Sequence, residues 1–131
     1  MKVLALDFGS ARTGVAVSDP TGTIARPLCV VERAATDDGL TELERLVSNE
    51  GAERVVVGHP LTLRGERGEQ ARVTERFAAA LRDRLEIPVL LFDERFTTDL
   101  AEQTPSGAAE DARAAAHLLS SYLAWSSAGP V

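Results

Sequence analysis

Apolar residues fall in two rhythms along this chain. Val3-Leu4-Ala5-Leu6, Val55-Val56-Val57 and Pro88-Val89-Leu90-Leu91-Phe92 are short unbroken runs. Runs of that length read as strands buried on both faces of a parallel sheet. Residues 2–8, 54–58 and 88–92 are therefore expected to be strands, with Pro88 opening the last. Residues 13–19 alternate and residues 23–31 form a further run, giving two more strands around a turn at Pro20-Thr21-Gly22. The second rhythm is helical. Leu40, Leu43, Leu46 and Val47 mark one face, and Val73, Phe77, Leu81 and Leu85 mark another. Thr36 is placed to cap the first helix and Gly51 to end it. The Ala-rich stretch 108–124 is the last helix. Residues 99–107 carry no clear period, although Thr104-Pro105 resembles a helix start.

The order βββαβαβα predicts an α/β fold. The first three strands form an antiparallel meander. Strands one, four and five run parallel, because each crossover returns the chain in the same direction. The result is a mixed five-stranded sheet flanked by helices. Residues 1–125 form a single domain, and residues 126–131 are expected to be a mobile tail.

Two of the apolar runs end on acids: Leu6 leads into Asp7, and Phe92 into Asp93-Glu94. Parallel strands deliver such residues to one sheet edge, where ligands of open sheets gather. Asp111 stands near the start of the last helix. If that helix packs beside the first strand, its carboxylate reaches the same point. Ala112, Ala114, Ala115 and Ala116 let its backbone come close. Asp7, Glu94 and Asp111 then suit one or two Mg²⁺ or Mn²⁺ ions, because hard cations take oxygen ligands. Paired metals about 3.5–4 Å apart clamp the attacking and leaving oxygens of a phosphodiester. Each acid also has an ordinary reading. Asp7 can end a strand at a turn with Gly9, Asp93 and Glu94 can be a solvated pair, and Asp111 can favour a helix N-terminus. Asp93 is the poorer ligand of its pair, suited to orienting a neighbour or bonding backbone. Asp19 ends an antiparallel strand at the opposite edge and is set aside.

Composition narrows this reading. The 131 residues are 44% hydrophobic and carry a net charge of −6. That charge argues against a protein that binds nucleic acid by bulk electrostatics, but not against a nuclease, whose metal-binding acids lower the total. The only Lys is Lys2; the other basic residues are all Arg, a bias read as compositional. No apolar stretch approaches the roughly 20 residues that span a bilayer. The absence of a signal peptide and a single cysteine, Cys29, point to the cytoplasm. Cys29 reads as a packed thiol.

Four motifs in order carry a resemblance. Asp7-Phe8-Gly9 followed by Gly14-Val15-Ala16-Val17-Ser18-Asp19 resembles the opening of the YqgF/RuvX family. Gly58-His59-Pro60-Leu61 with Gly65 is similar to its phosphate-side loop, and Asp93-Glu94-Arg95-Phe96-Thr97-Thr98 to its DER motif. Asp111, Ala114-Ala115 and Tyr122-Leu123 are similar to its closing helix. The resemblance covers nearly the whole chain. It implies an RNase H-like fold and a metal-dependent nuclease, described as a Holliday-junction resolvase or as a nuclease processing the 5′ end of pre-16S rRNA. Its acidic triad maps onto Asp7, Glu94 and Asp111. The chain departs from the pattern between Glu94 and Asp111, where Asp99–Glu110 contains no Lys or Arg. It departs again at His59, Thr62 and Arg64; His59 and His117 are assigned no role.

Arg12, Arg64, Arg95, Thr97 and Thr98 are candidate phosphate contacts, since guanidinium and hydroxyl groups commonly hold phosphates. Arg64, Arg67, Arg72 and Arg76 suggest a track, but interleaved Glu66, Glu69 and Glu75 make surface pairing the simpler expectation. Expected partners are branched DNA or precursor rRNA, with no membrane. A junction resolvase cuts two strands symmetrically, which implies a homodimer, with helix two or the third strand's edge as seam. Two rivals remain. An actin- or sugar-kinase-like ATPase needs a second domain. A nuclease-like binding module in ribosome assembly or transcription has little use for three clustered acids.

Overall fold

A computed structural model describes residues 1–62, 64–96 and 108–128. The strands are β1 (Val3–Asp7), β2 (Arg12–Ser18), β3 (Ala25–Glu32), β4 (Arg54–His59) and β5 (Val89–Asp93). The helices are α1 (Asp37–Glu50), α2 (Glu69–Arg84) and α3 (Ala108–Ala128), and a 3₁₀ turn covers Glu94–Phe96. The five strands form one sheet in the order β3-β2-β1-β4-β5. β1, β2 and β3 pair antiparallel, whereas β1–β4 and β4–β5 pair parallel. This is the mixed sheet the sequence predicted.

Alternation along the strands builds two cores. Leu4, Leu6, Val55 and Val57 face α1 and α2, together with Leu43, Phe77 and Leu81. Val3, Ala5, Val56 and Phe92 face α3, against Ala115, Leu118 and Leu119. β1 and β4 are buried on both sides, which is why they read as unbroken apolar runs. β5 does not fit that rule. It is an edge strand, and Leu90 is 37% exposed.

Thr36 caps α1 as expected: its hydroxyl accepts from the Gly39 N–H at 3.2 Å and donates to the Arg33 carbonyl at 2.7 Å. Gly51 ends the helix with φ +65°, a left-handed conformation that favours glycine. Thr36→Ala should cost about 1 kcal/mol, read as a lower urea midpoint with unchanged slope. The buried seam of α2 differs from the predicted one. Ala71, Thr74, Phe77, Ala78 and Leu81 are buried, while Val73 and Leu85 lie at its margin. Thr74 enters the core because its hydroxyl donates to the Gln70 carbonyl at 2.9 Å. Cys29 is half-buried against the α1 side of the sheet. α3 continues through Ala128, so Ser126–Ala128 extend the helix where a tail was expected. Residues 129–131, and the Thr104-Pro105 start, lie outside the described residues.

Candidate active site

The strand alternation that builds the cores also aims the acids. Val3 and Ala5 face α3, and Asp7 continues that side. Phe8 turns the other way and stacks on Phe77 of α2, with ring centroids 4.3 Å apart. At the far side of β4, Phe92 faces α3, and Glu94 follows two residues later. Its carboxylate lies directly over Gly58: a Cβ there would come within 2.5 Å of Glu94 Oε2. Glycine leaves the room the carboxylate occupies.

Asp93 and Arg95 hold Glu94 between them. Asp93 accepts from the Arg95 backbone N–H at 2.9 Å and from its Nε, also at 2.9 Å. The Arg95 guanidinium rests on Gly65, where φ is +83° and a Cβ would stand 3.1 Å from Nη1. Asp93 therefore orients a neighbour and bonds backbone, as the sequence suggested. Arg95, a predicted phosphate contact, is engaged by Asp93.

α3 brings the third acid. It packs chiefly on β2, β3 and β1, and its backbone comes very close at Gly14. A Cβ on Gly14 would lie 1.9 Å from the Asp111 carbonyl oxygen. Gly14 is the cross-strand partner of Asp7, so the contact that seats Asp111 also sets it beside Asp7.

Electrostatics follow this geometry. Burial, then the nearby Asp111 charge, pushes the Asp7 carboxyl up from 3.8 to about 6. Burial, then Asp7 and Asp93, pushes Glu94 up from 4.5 to about 7. Asp7 is thus linked to both other members of the trio: the Asp111 charge raises it, and its own charge raises Glu94. Asp111 faces Arg12, with Nε 2.9 Å from Oδ2. That oxygen is nevertheless buried without an aligned hydrogen bond. Among the described residues no three acids, His or Cys already stand at metal-holding distance. The donor set still fits a hard divalent cation. It consists of carboxylate oxygens, two of them destabilised as anions by burial and neighbours, and one left without an aligned donor.

The raised values fix a pH dependence for the metal-free protein. Both acids bind protons more tightly folded than unfolded, so between about pH 4 and 7 the native state holds the extra protons. Stability should therefore fall as pH rises through that window, by up to about 3 kcal/mol for each of the two acids. Urea midpoints at pH 5 and pH 8 in a chelator check the sign.

The remaining candidates divide. Arg64 is exposed in the turn after Thr62. Thr97 and Thr98 lie outside the described residues. The suggested arginine track breaks into surface pairs: Arg67 binds Glu75, and Arg76 reaches Glu69 at 3.9 Å. His59, assigned no role from sequence, ends β4 beside Asp93 and meets Glu75 at 2.6 Å.

A mixed five-stranded sheet thus presents its candidate acids at one edge. The chain belongs to the RuvX family: the model described as "RuvX: Holliday junction resolvase" matches residues 1–125. A Chloroflexus aurantiacus protein named "Putative pre-16S rRNA nuclease" is 50% identical over 101 residues, covering 77% of this chain and 66% of that protein. The match thus spans about two thirds of that relative's length. A Geobacillus kaustophilus protein of the same name is 38% identical, over 94% of this chain and 97% of its own. Among solved structures, T. thermophilus RuvC in complex with Holliday junction substrate superposes with a TM-score of 0.61 at 17% identity, covering 100% of this chain and 99% of that one. That likeness supports the RNase H-like fold. No helix among the described residues is long and apolar enough to cross a membrane.

Proposed function

We propose that this protein is a divalent-metal-dependent nuclease, with Asp7, Glu94 and Asp111 holding one or two Mg²⁺ or Mn²⁺ ions. The observation that carries the reading is the seating of Asp7 between the other two acids at the carboxyl edge of β1. Bound there, the cation would activate a water and offset charge on a departing oxygen. The protein's own work is positioning. Gly58 leaves space for Glu94, the Asp93–Arg95 clasp fixes its direction, and Gly14 lets α3 deliver Asp111. Arg12 and Arg64 are the proposed phosphate contacts, with Thr97 and Thr98 beyond the DER turn. Arg95 acts through Asp93.

The substrate is precursor rRNA or branched DNA, in the cytoplasm. The test is incubation with a four-way DNA junction, single strands and a pre-16S rRNA fragment, each with Mn²⁺, Mg²⁺ or EDTA. Metal-dependent cutting of one substrate supports the reading and selects between them. Binding without cutting in either metal overturns it in favour of a binding module. A junction cutter should also sediment as a homodimer.

A further inference from the structure

Arg12 opens β2 on the side that faces α3 and belongs to two places at once. It touches Asp111, and it lines a groove of about 660 Å³ between β3 and the start of α3. Leu28, Val30, Glu32, Ala112 and Arg113 complete the lining that matters here. Glu32 is Arg12's cross-strand partner. Arg113 is held by Glu110 at 3.1 Å.

The Arg12–Asp111 contact is easily exchanged. The two side chains are 40% and 26% exposed, and no aligned hydrogen bond joins them. A partly exposed pair of this kind is worth about 0.2–1 kcal/mol. Arg12 also carries donors in a planar fork, suited to two oxygens of one phosphate.

We propose that Arg12 is an exchangeable counter-ion: it holds Asp111 in the metal-free protein, and when Asp111 turns to a divalent cation it moves into the adjoining groove to hold a backbone phosphate of the nucleic acid. The proposal rests on the metal-site reading above. It makes metal and nucleic acid bind with positive coupling, because one side chain cannot serve Asp111 and the phosphate together. Without Arg12, a phosphate in the groove meets Glu32 and an Arg113 already engaged.

The test begins with Mn²⁺ binding to the full chain by calorimetry, without nucleic acid. Arg12→Ala removes a competitor and should tighten Mn²⁺ by about two- to fivefold. Arg113→Ala removes a groove charge that does not touch Asp111, and should change Mn²⁺ affinity less. A nucleoside 5′-monophosphate, which offers no diester to cut, then probes the groove. Mg²⁺ should raise its affinity for the wild type at least twice as much as for Arg12→Ala. Arg12→Gln, at an exposed position, repeats both measurements with circular dichroism as a check on folding. Unchanged or weaker Mn²⁺ binding by Arg12→Ala, or an equal effect of Arg113→Ala, overturns the exchange while leaving the metal site standing. No Mn²⁺ binding by the wild type overturns both.

Discussion

Asp7→Asn is expected to abolish metal-dependent cleavage while making the metal-free protein more stable. The loss should reach on the order of 10³-fold or more in kcat, because the residue acts as part of a unit whose members fail together. Asp7 sits between Asp111 and Glu94, and an amide there offers one neutral oxygen where a carboxylate offers two charged ones. The stability gain has the same origin. Burial and the Asp111 charge already disfavour ionised Asp7, so removing the charge relieves the fold at neutral pH. At pH 8 in a chelator the variant should melt higher than the wild type by about 2–5 °C. Its stability should also depend less on pH between 5 and 8, since one of the two titrating acids is gone. Lost activity with gained stability is the signature of a functional acid held at a structural cost. An equal fall in both would mark Asp7 as an ordinary structural residue.

Gly14→Ala should be the most damaging glycine-to-alanine substitution among the described residues. The added carbon would stand 1.9 Å from the Asp111 carbonyl oxygen and 2.4 Å from its carbon. Neither side can yield cheaply. β2 is paired on both edges, to β1 and β3, and α3 is anchored along its length by Ala115, Leu118, Leu119 and Tyr122. Overpacking costs typically reach about 3 kcal/mol, and this contact, backbone against backbone, belongs at that end. The folded fraction should also lose activity, because lifting α3 withdraws Asp111 from Asp7. Gly68→Ala is the control, since a Cβ there meets nothing within 4 Å. Equilibrium denaturation and single-turnover cleavage of the two variants separate the effects.

Much of the fold was legible because this sheet follows the periodicity rules closely. β1 and β4 are central strands with helices on both faces, so every residue between the ends is apolar. The 3.6-residue rhythm of α1, with Thr36 and Gly51 at its ends, needed no tertiary information. β5 was misread as fully buried because an edge strand's exposure depends on which neighbour is missing, and Leu90 does not announce it. The α2 seam was shifted because the helix buries Ala71, Thr74 and Ala78 beside Phe77 and Leu81. Small or self-satisfied residues are invisible to a search for large apolar ones.

The candidate site was read on the same grounds as the strands themselves. Strands that end on acids declare where those acids go. What the sequence did not reveal is set by approach between distant segments. The clearances at Gly14 and Gly58, the Arg12–Asp111 contact and the packing of Arg95 on Gly65 depend on how α3 and the β4–α2 loop settle on the sheet edge. A motif records that a glycine is present, whereas only the packed chain shows which carboxylate or backbone it makes room for.

The central claim is that Asp7, Glu94 and Asp111 share a cation. It is tested most directly by soaking crystals of the wild type in Mn²⁺ and recording anomalous diffraction. The account predicts a peak bounded by those three carboxylates, with oxygens at about 2.0–2.2 Å. Mn²⁺ bound elsewhere, or no peak at a concentration that supports cleavage, contradicts it.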